Sequence, residues 1–303
     1  MLNKRPVFLH SFARGGSNLL LNLLLSHPEA CHSGGELDQV LIGRTGQSRL
    51  ESWRRRIWHW WVVDRRAGAH YFRPGNISPR ASLSEADAAL IDMALFRARR
   101  FTRIAKQNRY KGPGAPYAPA EISVCRPVFK SVNGTVMAAS RLAAHFPDAS
   151  TICLVREGAA FLESYLRRGF SVEAAAGIYN VVGGHLMDLS ESGSTFRLLR
   201  YEDLVADPRS VIREIYQWLG LDFAAVDNFR IQAKRLVGED GRVTLRGYRD
   251  RELLWCSEDE LEDHIPKNVN ANQRGRLAKD DLEQFLELAG GTMQRLGYST
   301  AVT

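Results

Sequence analysis

The sequence predicts an α/β fold around a central parallel sheet, and three observations carry the reading. Short apolar runs at residues 7–9 (VFL) and 150–155 (STICLV) have the length of strands buried on both faces. Helix-like segments separate the strand-like ones, the alternation that a parallel sheet requires. Residues 6–28 also read as one strand, one Gly-rich loop and one helix in direct succession.

That first unit passes from the strand through Ser11-Phe12-Ala13-Arg14-Gly15-Gly16-Ser17-Asn18. It enters a helix over 19–25, apolar nearly all round and capped by Ser17 or Asn18. A strand that delivers glycines onto a helix N-terminus is a phosphate cradle: the backbone comes close, several N–H groups converge and the helix dipole favours an anion. The loop departs from the nucleotide-triphosphatase pattern G-x-x-x-x-G-K-[ST]. Ser11 stands for the first Gly, Ser17 for the Lys and Asn18 for the Mg-binding hydroxyl, while Arg14, its one cation, is displaced toward the strand. Such a loop suits an oxyanion ester held without a metal; a Gly-rich turn with no ligand is the alternative.

The bulk properties narrow the class. The 303 residues are enough for one large domain or two small ones, and 45% hydrophobic with 25% charged residues is ordinary globular composition. Cys31, Cys125, Cys153 and Cys256 form no C-x-x-C pair, which points to a reducing compartment and no metal site. The start, MLNKRPVFLH, runs straight into the first strand without a signal-like segment, so an unanchored cytoplasmic chain is expected. Residues 41–110 hold 15 Lys/Arg against 5 Asp/Glu, a local +10 that leaves the rest of the chain at −3. The basic excess therefore belongs to one surface.

Further along, His27-Pro28-Glu29 stops the first helix, and Ser33-Gly34-Gly35-Glu36 turns the chain back over the sheet. In residues 53–61 (WRRRIWHWW) four of the six tryptophans interleave with cations. Three readings stay open: a core stripe with snorkelling arginines, a cleft stacking on sugar rings, or an interfacial helix on an anionic membrane. Ser82-Leu83-Ser84-Glu85 opens a helix with a capping box. Leu90, Met93, Ala94, Arg97, Phe101 and Ile104 mark one face of it and Arg99, Arg100, Arg103 and Lys106 the other, with its end near Asn108. Residues 110–119 (YKGPGAPYAP) form a rigid loop, the candidate hinge or lid.

Residues 128–131 read as a second strand, 136–145 as a helix, and the 150–155 strand ends in Arg156. A further strand at 196–199 leads into Tyr201-Glu202-Asp203-Leu204 and a helix with Pro208 at its start and Gly220 just past its end. Residues 237–275 are polar and irregular. The last helix, 279–297, turns Leu282, Phe285, Leu286, Leu288 and Met293 inward.

Several of these stretches resemble the sulfotransferases that use 3′-phosphoadenosine 5′-phosphosulfate. Residues 11–18 are similar to the 5′-phosphosulfate loop, in which Lys or Arg precedes a small residue, Gly and two hydroxyl or amide residues. Arg156 and Ser164, eight residues apart, resemble the 3′-phosphate motif, an Arg at a strand end and a Ser in the next helix. The YEDL run and the terminal Leu296-Gly297-Tyr298 are similar too. The resemblance covers about residues 5–36 and 125–220, with a weaker tail at 270–298. It implies a P-loop-kinase-like three-layer sandwich with a parallel sheet of about four or five strands, one domain over 1–303, and 41–120 as a helical acceptor-recognition insertion.

By the same resemblance the reaction is in-line sulfuryl transfer to an acceptor hydroxyl, carried by positioning and charge stabilisation. Arg14 stabilises the sulfuryl group; Gly15, Gly16, Ser17 and Asn18 hold the 5′-phosphate; Arg156 and Ser164 hold the 3′-phosphate; Arg274 and Arg276 close over it. Glu36, 22 residues beyond Arg14, takes the acceptor proton. Lys130 either assists the leaving oxygen or pairs with a carboxylate in the core. Phenol and steroid sulfotransferases place a catalytic His two residues after the matching Lys, and that position is Val132 here. Either Glu36 or another group is therefore the base, and a glycan or glycolipid is the expected acceptor in preference to a small phenol, anionic or ring-containing and met at 41–110. Peripheral contact with the inner face of a membrane is compatible with this and a nucleic-acid partner is not expected. The product is adenosine 3′,5′-bisphosphate. A P-loop-like kinase and a catalytically silent polyanion- or membrane-binding protein are the rival readings.

Overall fold

Alternate residues along the sheet strands enter different cores, and this makes the molecule three-layered. In the computed structural model, which describes residues 1–32, 36–37, 40, 85–101, 118–232, 235–237, 243–245 and 253–300, five strands form the central sheet. They are β1 (Val7–Ser11), β2 (Ala30–Cys31), β3 (Arg126–Val132), β4 (Ser150–Val155) and β5 (Phe196–Arg200), in the order β2-β3-β1-β4-β5. Every pairing among them is parallel. The layout is the P-loop-kinase-like α/β fold, with strand and helix alternating as the sequence pattern requires.

Val7, Leu9, Val128, Ile152 and Leu154 pack on one face against α1 (Ser17–Leu24) and, past the short α7 (Tyr201–Ala206), against α8 (Pro208–Leu219). Phe8 and Phe129 point the other way, toward α2 (Glu85–Phe101) and α4 (Ala139–His145). On that same side Phe12, Cys153 and Val155 meet α5 (Gly158–Leu166), α6 (Val172–Glu191) and α10 (Lys279–Arg295). The ring stack Phe12–Tyr179, with centroids 4.8 Å apart, ties the first loop to α6. The chain leaves β3 and crosses β1 to reach β4, so the connections diverge at the C-terminal end of β1. Open α/β sheets bind their ligands at such a switch point.

Several boundaries follow the sequence pattern. Asp207 caps α8 by accepting from Ser210 N–H at 2.9 Å, Pro208 is its first residue, and Gly220 closes it in the left-handed region at φ 68°. Other expectations need correction. The helix foreseen at 136–145 begins as a 3-10 turn over Asn133–Ala138. On α10, Leu288 is 46% exposed, whereas Leu282, Phe285 and Met293 are buried. The stretch expected to be irregular holds β7 (Arg235–Val237), β8 (Val243–Leu245), β9 (Leu253–Cys256) and the short α9 (Val269–Arg274); β9 pairs with β6 (Phe229–Gln232).

The largest correction is the rotation of α2. Ala88, Ile91, Asp92, Leu95 and Arg99 face inward, and Met93 is exposed. Asp92 decides this: its carboxylate accepts from the backbone N–H of Leu2 at 2.6 Å and of Asn3 at 3.1 Å, which pins that face to the chain start. Arg99, expected on the basic outer face, is buried with its guanidinium 4.9 Å over the Phe96 ring. The side chain of Arg100, Arg103 and Lys106, the tryptophan stretch, the capping box at 82–84, the turn at 33–35 and the loop at 110–117 lie outside the described residues. Among the described residues no helix is long and apolar enough to cross a membrane.

Two glycines test the packing from opposite sides. A Cβ at Gly158 would lie 2.6 Å from Met293 Sδ and 2.8 Å from the Phe285 ring, while one at Gly177 would meet nothing within 4 Å. Gly158→Ala is expected to lower the unfolding free energy by about 1–3 kcal/mol through overpacking. Gly177→Ala in mid-α6 should raise it by roughly 0.5–1 kcal/mol, because Ala loses less backbone entropy on folding. Urea titrations of both variants check this; equal midpoints would show that α10 yields freely at Gly158.

Candidate active site

The parallel register lines up the strand ends. Ser11 stands opposite Val132 and Leu154, and Val155 opposite Arg200, so loop 12–16, Asn133, Arg156 and Tyr201 leave the sheet side by side. In the loop, Gly15 N–H donates to Phe12 O at 3.0 Å, and both Arg14 (φ 71°) and Gly16 (φ 87°) are left-handed. Gly16, not Ser17 or Asn18, is the helix cap, and no side chain caps α1. The amides at the start of α1 are therefore left to an external acceptor. A Cβ at Gly15 would fall 2.4 Å from Ser11 Oγ, and one at Gly16 2.1 Å from the Tyr201 ring. Ser11 Oγ itself is fully buried and has no hydrogen-bond partner. Asn133, also left-handed at φ 51°, holds the loop from below: its Oδ1 accepts from Ala13 N–H at 2.8 Å and its Nδ2 donates to Tyr165 Oη at 2.7 Å.

Glu36, Lys130 and Asn18 converge on the other flank. Glu36 forms a bridge beside Lys130 of β3, and the Lys130 ammonium sits 2.9 Å from Glu36 Oε1 and donates to Asn18 Oδ1 at 2.7 Å. Lys130 is 5% exposed and Glu36 30%, so the carboxylate remains reachable while its cation is enclosed. The Asn18 side chain is thus spent on Lys130, and only its backbone can serve the cradle. Asn22, one turn on, donates to Asn18 O at 2.7 Å and accepts from the buried Arg230 Nε at 2.9 Å, which seats β6 on α1. His32 lies nearby with Nδ1 2.9 Å from Val128 O. Burial, followed by the charges of Lys130 and Arg230, pulls its pKa down to about 4.

Arg156 joins the two predicted motifs. Its Nη1 donates to Arg14 O at 2.7 Å, and its guanidinium lies 4.7 Å over the Tyr201 ring that also packs on Gly16. Ser164 is reached through a third residue: Gln273 Oε1 accepts from Arg156 Nη2, and Gln273 Nε2 donates to Ser164 Oγ at 2.7 Å and to Glu163 Oε2 at 2.7 Å. Asn270 Oδ1 accepts from Arg156 Nε at 3.0 Å and also from Nη2. Arg276 is paired with the buried Glu163, Nε to Oε1 at 3.1 Å, and Arg274 is half-buried at the end of α9. A cleft of about 480 Å³ at the opposite end of the sheet, lined by Arg5, Asp148, Ser150 and Trp218 among others, shares no residue with this cluster.

A sequence model of the Sulfotransferase family matches residues 6–225. The chain belongs to the sulfotransferase family. Carbohydrate sulfotransferase 5 of Mus musculus is 32% identical over 103 residues, which is 34% of this chain but only 23% of the mouse protein. Two solved structures share the fold of this sulfotransferase. The sulfotransferase domain from the Synechococcus PCC 7002 olefin synthase is 20% identical at a TM-score of 0.51 and covers 97% of this chain and 95% of its own. The sulfotransferase domain from the curacin biosynthetic pathway is 16% identical at 0.53 and covers 99% of both chains.

Sequence reasoning passed over Asn133, Tyr201, Asn270 and Gln273 as parts of the sulfotransferase site. The Asn-Gly pair at 133–134 directly after a strand was the available signal for the first. The YEDL run gives Tyr201 no role of its own, and nothing local marks the α9 amides. His10 was missed as well. It is buried beside Ser131, with the Nδ1–Oγ contact between them, and burial followed by the charge of His185 drives its pKa to about 3. Both His10 and His32 therefore fold as neutral rings. Their contribution to stability is complete above the unfolded pKa of about 6.5 and is lost as pH falls toward 4 and below, because only the unfolded state takes up the proton. Each should add up to about 1.4 kcal/mol per pH unit to the slope of stability against pH. Denaturant unfolding at pH 7 and pH 5 should show this loss, smaller in His10→Asn; an unchanged slope in the variant would remove His10 from the account.

Proposed function

We propose that this sulfotransferase moves the sulfuryl group of 3′-phosphoadenosine 5′-phosphosulfate to an acceptor hydroxyl. The observation that carries the reading is the direct bond from Arg156 to the carbonyl of Arg14, which sets two anion-type motifs side by side at one switch point. The residues fit such a donor: the close approach at Gly15 and Gly16 admits no side chain, and the buried Ser11 hydroxyl under the loop has no protein partner. Backbone amides of Gly16 to Asn18 and the Ser17 hydroxyl would hold the 5′-phosphate, while Gly15, whose N–H is given to Phe12 O, would shape the turn. Arg14, exposed at the loop tip, would face the sulfuryl group. Arg156 and Ser164 would take the 3′-phosphate, Arg through its bidentate fork. The two cations expected to close over it do not form the seat: Arg276 is paired with Glu163, and Arg274 ends α9, whose Asn270 is bonded to Arg156.

The donor supplies the sulfuryl group; the chain supplies position, charge and a proton acceptor. Glu36 takes the acceptor proton, and Lys130 positions Glu36 against the first turn of α1 through Asn18. As the acceptor oxygen bonds to sulfur, the sulfur–oxygen bond to the 5′-phosphate breaks, which releases adenosine 3′,5′-bisphosphate. A glycan or glycolipid is the acceptor this reading favours. Its support is the partial match to a carbohydrate sulfotransferase and the basic, tryptophan-rich composition of residues 41–110.

Two measurements test the assignment. Adenosine 3′,5′-bisphosphate should bind clearly better than adenosine 5′-monophosphate in magnesium-free calorimetry, and Arg156→Ala should weaken the bisphosphate by about 10-fold or more. Equal affinity for the two nucleotides would overturn the 3′-phosphate assignment.

Glu36→Gln keeps the shape and removes the base. With radiolabelled donor and a panel of anionic glycans, glycolipids and phenols, its turnover should fall about 100-fold or more while bisphosphate binding stays near wild type. Retention of most turnover at saturating acceptor would make Glu36 structural.

A further inference from the structure

The fork of Arg156 is already taken by the chain itself. Asn270 Oδ1 accepts from both Nε and Nη2, the same edge that a phosphate would engage with two oxygens. Gln273 Oε1 takes Nη2 as well, and Arg14 O takes Nη1. Ser164 Oγ accepts from Gln273 Nε2, which places that amide against the hydroxyl a phosphate would reach. Both amides come from one short element, α9. Their orientation is set from behind by two carboxylates: Asn270 Nδ2 donates to Glu202 Oε1 and Gln273 Nε2 to Glu163 Oε2, so the carbonyls are turned toward Arg156. Glu202 is itself held by Glu157 N–H at 3.0 Å and Tyr298 Oη at 2.7 Å.

We propose that Asn270 and Gln273 determine the affinity of the 3′-phosphate seat by occupying it: α9 leaves Arg156 and Ser164 when the phosphate binds and returns when the bisphosphate departs. The inference rests on the 3′-phosphate reading above. A phosphate outbids neutral amides for a guanidinium, because a charge-assisted hydrogen bond is the stronger one. Its apparent affinity is nevertheless reduced by the fraction of molecules in which α9 is closed. Glu163 and Glu202, losing their amide donors, would face the negative phosphate, and this favours the return of α9. The consequence falls alike on the donor and on the bisphosphate product, which share the 3′-phosphate, and not on nucleotides that lack one.

Hydrogen exchange over residues 269–276 of the wild-type chain reads the displacement without any substitution. Adenosine 3′,5′-bisphosphate should speed exchange there, and adenosine 5′-monophosphate should leave it unchanged. In calorimetry Asn270→Ala should tighten the bisphosphate by about 10-fold and leave the monophosphate alone. Slower exchange of α9 with the bisphosphate, or weaker binding by Asn270→Ala, would overturn the proposal and make α9 a clamp on the ligand. Equal binding of the two nucleotides by the wild type is a different failure, which removes the 3′-phosphate reading and this proposal with it.

Discussion

A buried guanidinium governs the arrangement of this molecule. Arg156, 5% exposed, leaves β4 into the interior and must satisfy its donors there. It does so by reaching three parts of the chain that lie far apart in sequence: the carbonyl of Arg14 in the first loop, the ring of Tyr201 after β5, and the amides of α9. A hydrogen bond to a charged group is typically worth about 1.5–3 kcal/mol, so these contacts are mutually enforcing. The burial lowers its pKa from the ordinary guanidinium value, with Tyr201 and nearby carboxylates opposing that shift. The left-handed turn at Gly16 belongs to the same constraint, since any larger residue would strike the ring that Arg156 stacks on.

Charge is handled differently on the two flanks of the site. Around Arg156 the charges are shared among side chains, amides and two acids. On the Lys130 flank one ammonium is enclosed between Glu36 and Asn18. Of the two roles the sequence left open for Lys130, this geometry contains the pairing with a carboxylate, since Lys130 is bonded to Glu36 and to the first turn of α1. Val132, where the resemblance to phenol and steroid sulfotransferases would place a His, is followed by Asn133, which supports loop 12–16.

Where the reading of the sequence went astray, the reason is usually that two faces of an element were equally apolar. In α2 both Leu90-Met93-Ala94 and Ala88-Ile91-Leu95 fall at helical spacing, and the contact of Asp92 with the chain start selects the second. In α10 the run Phe285-Leu286-Leu288 is wider than the groove that receives it, so Leu288 is left in solvent. The strands β6 to β9 escaped notice because they are three or four residues long, and β6 finds its partner only in β9, beyond both of the others. β6 is seated by Asn22 of α1 and by Ser26 just past its end, two polar residues in a run that otherwise reads as apolar.

By itself the sequence determined the alternation of buried strands and helices, the Gly-rich loop on α1, and the Arg156–Ser164 spacing, because strand length, helix period and glycine chemistry are local properties. The caps at Asp207 and Gly220 are legible for the same reason. Only the tertiary structure decided what those motifs touch. Parallel register, and not spacing, brings residues 11, 132, 154 and 200 into line, so that Arg14, Asn133, Arg156 and Tyr201 become neighbours. Gln273 reaches Arg156 and Ser164 across 117 and 109 residues, a separation at which no pattern in the chain can announce a contact. Such pairings are set by which strand ends meet, and that is a property of the whole sheet.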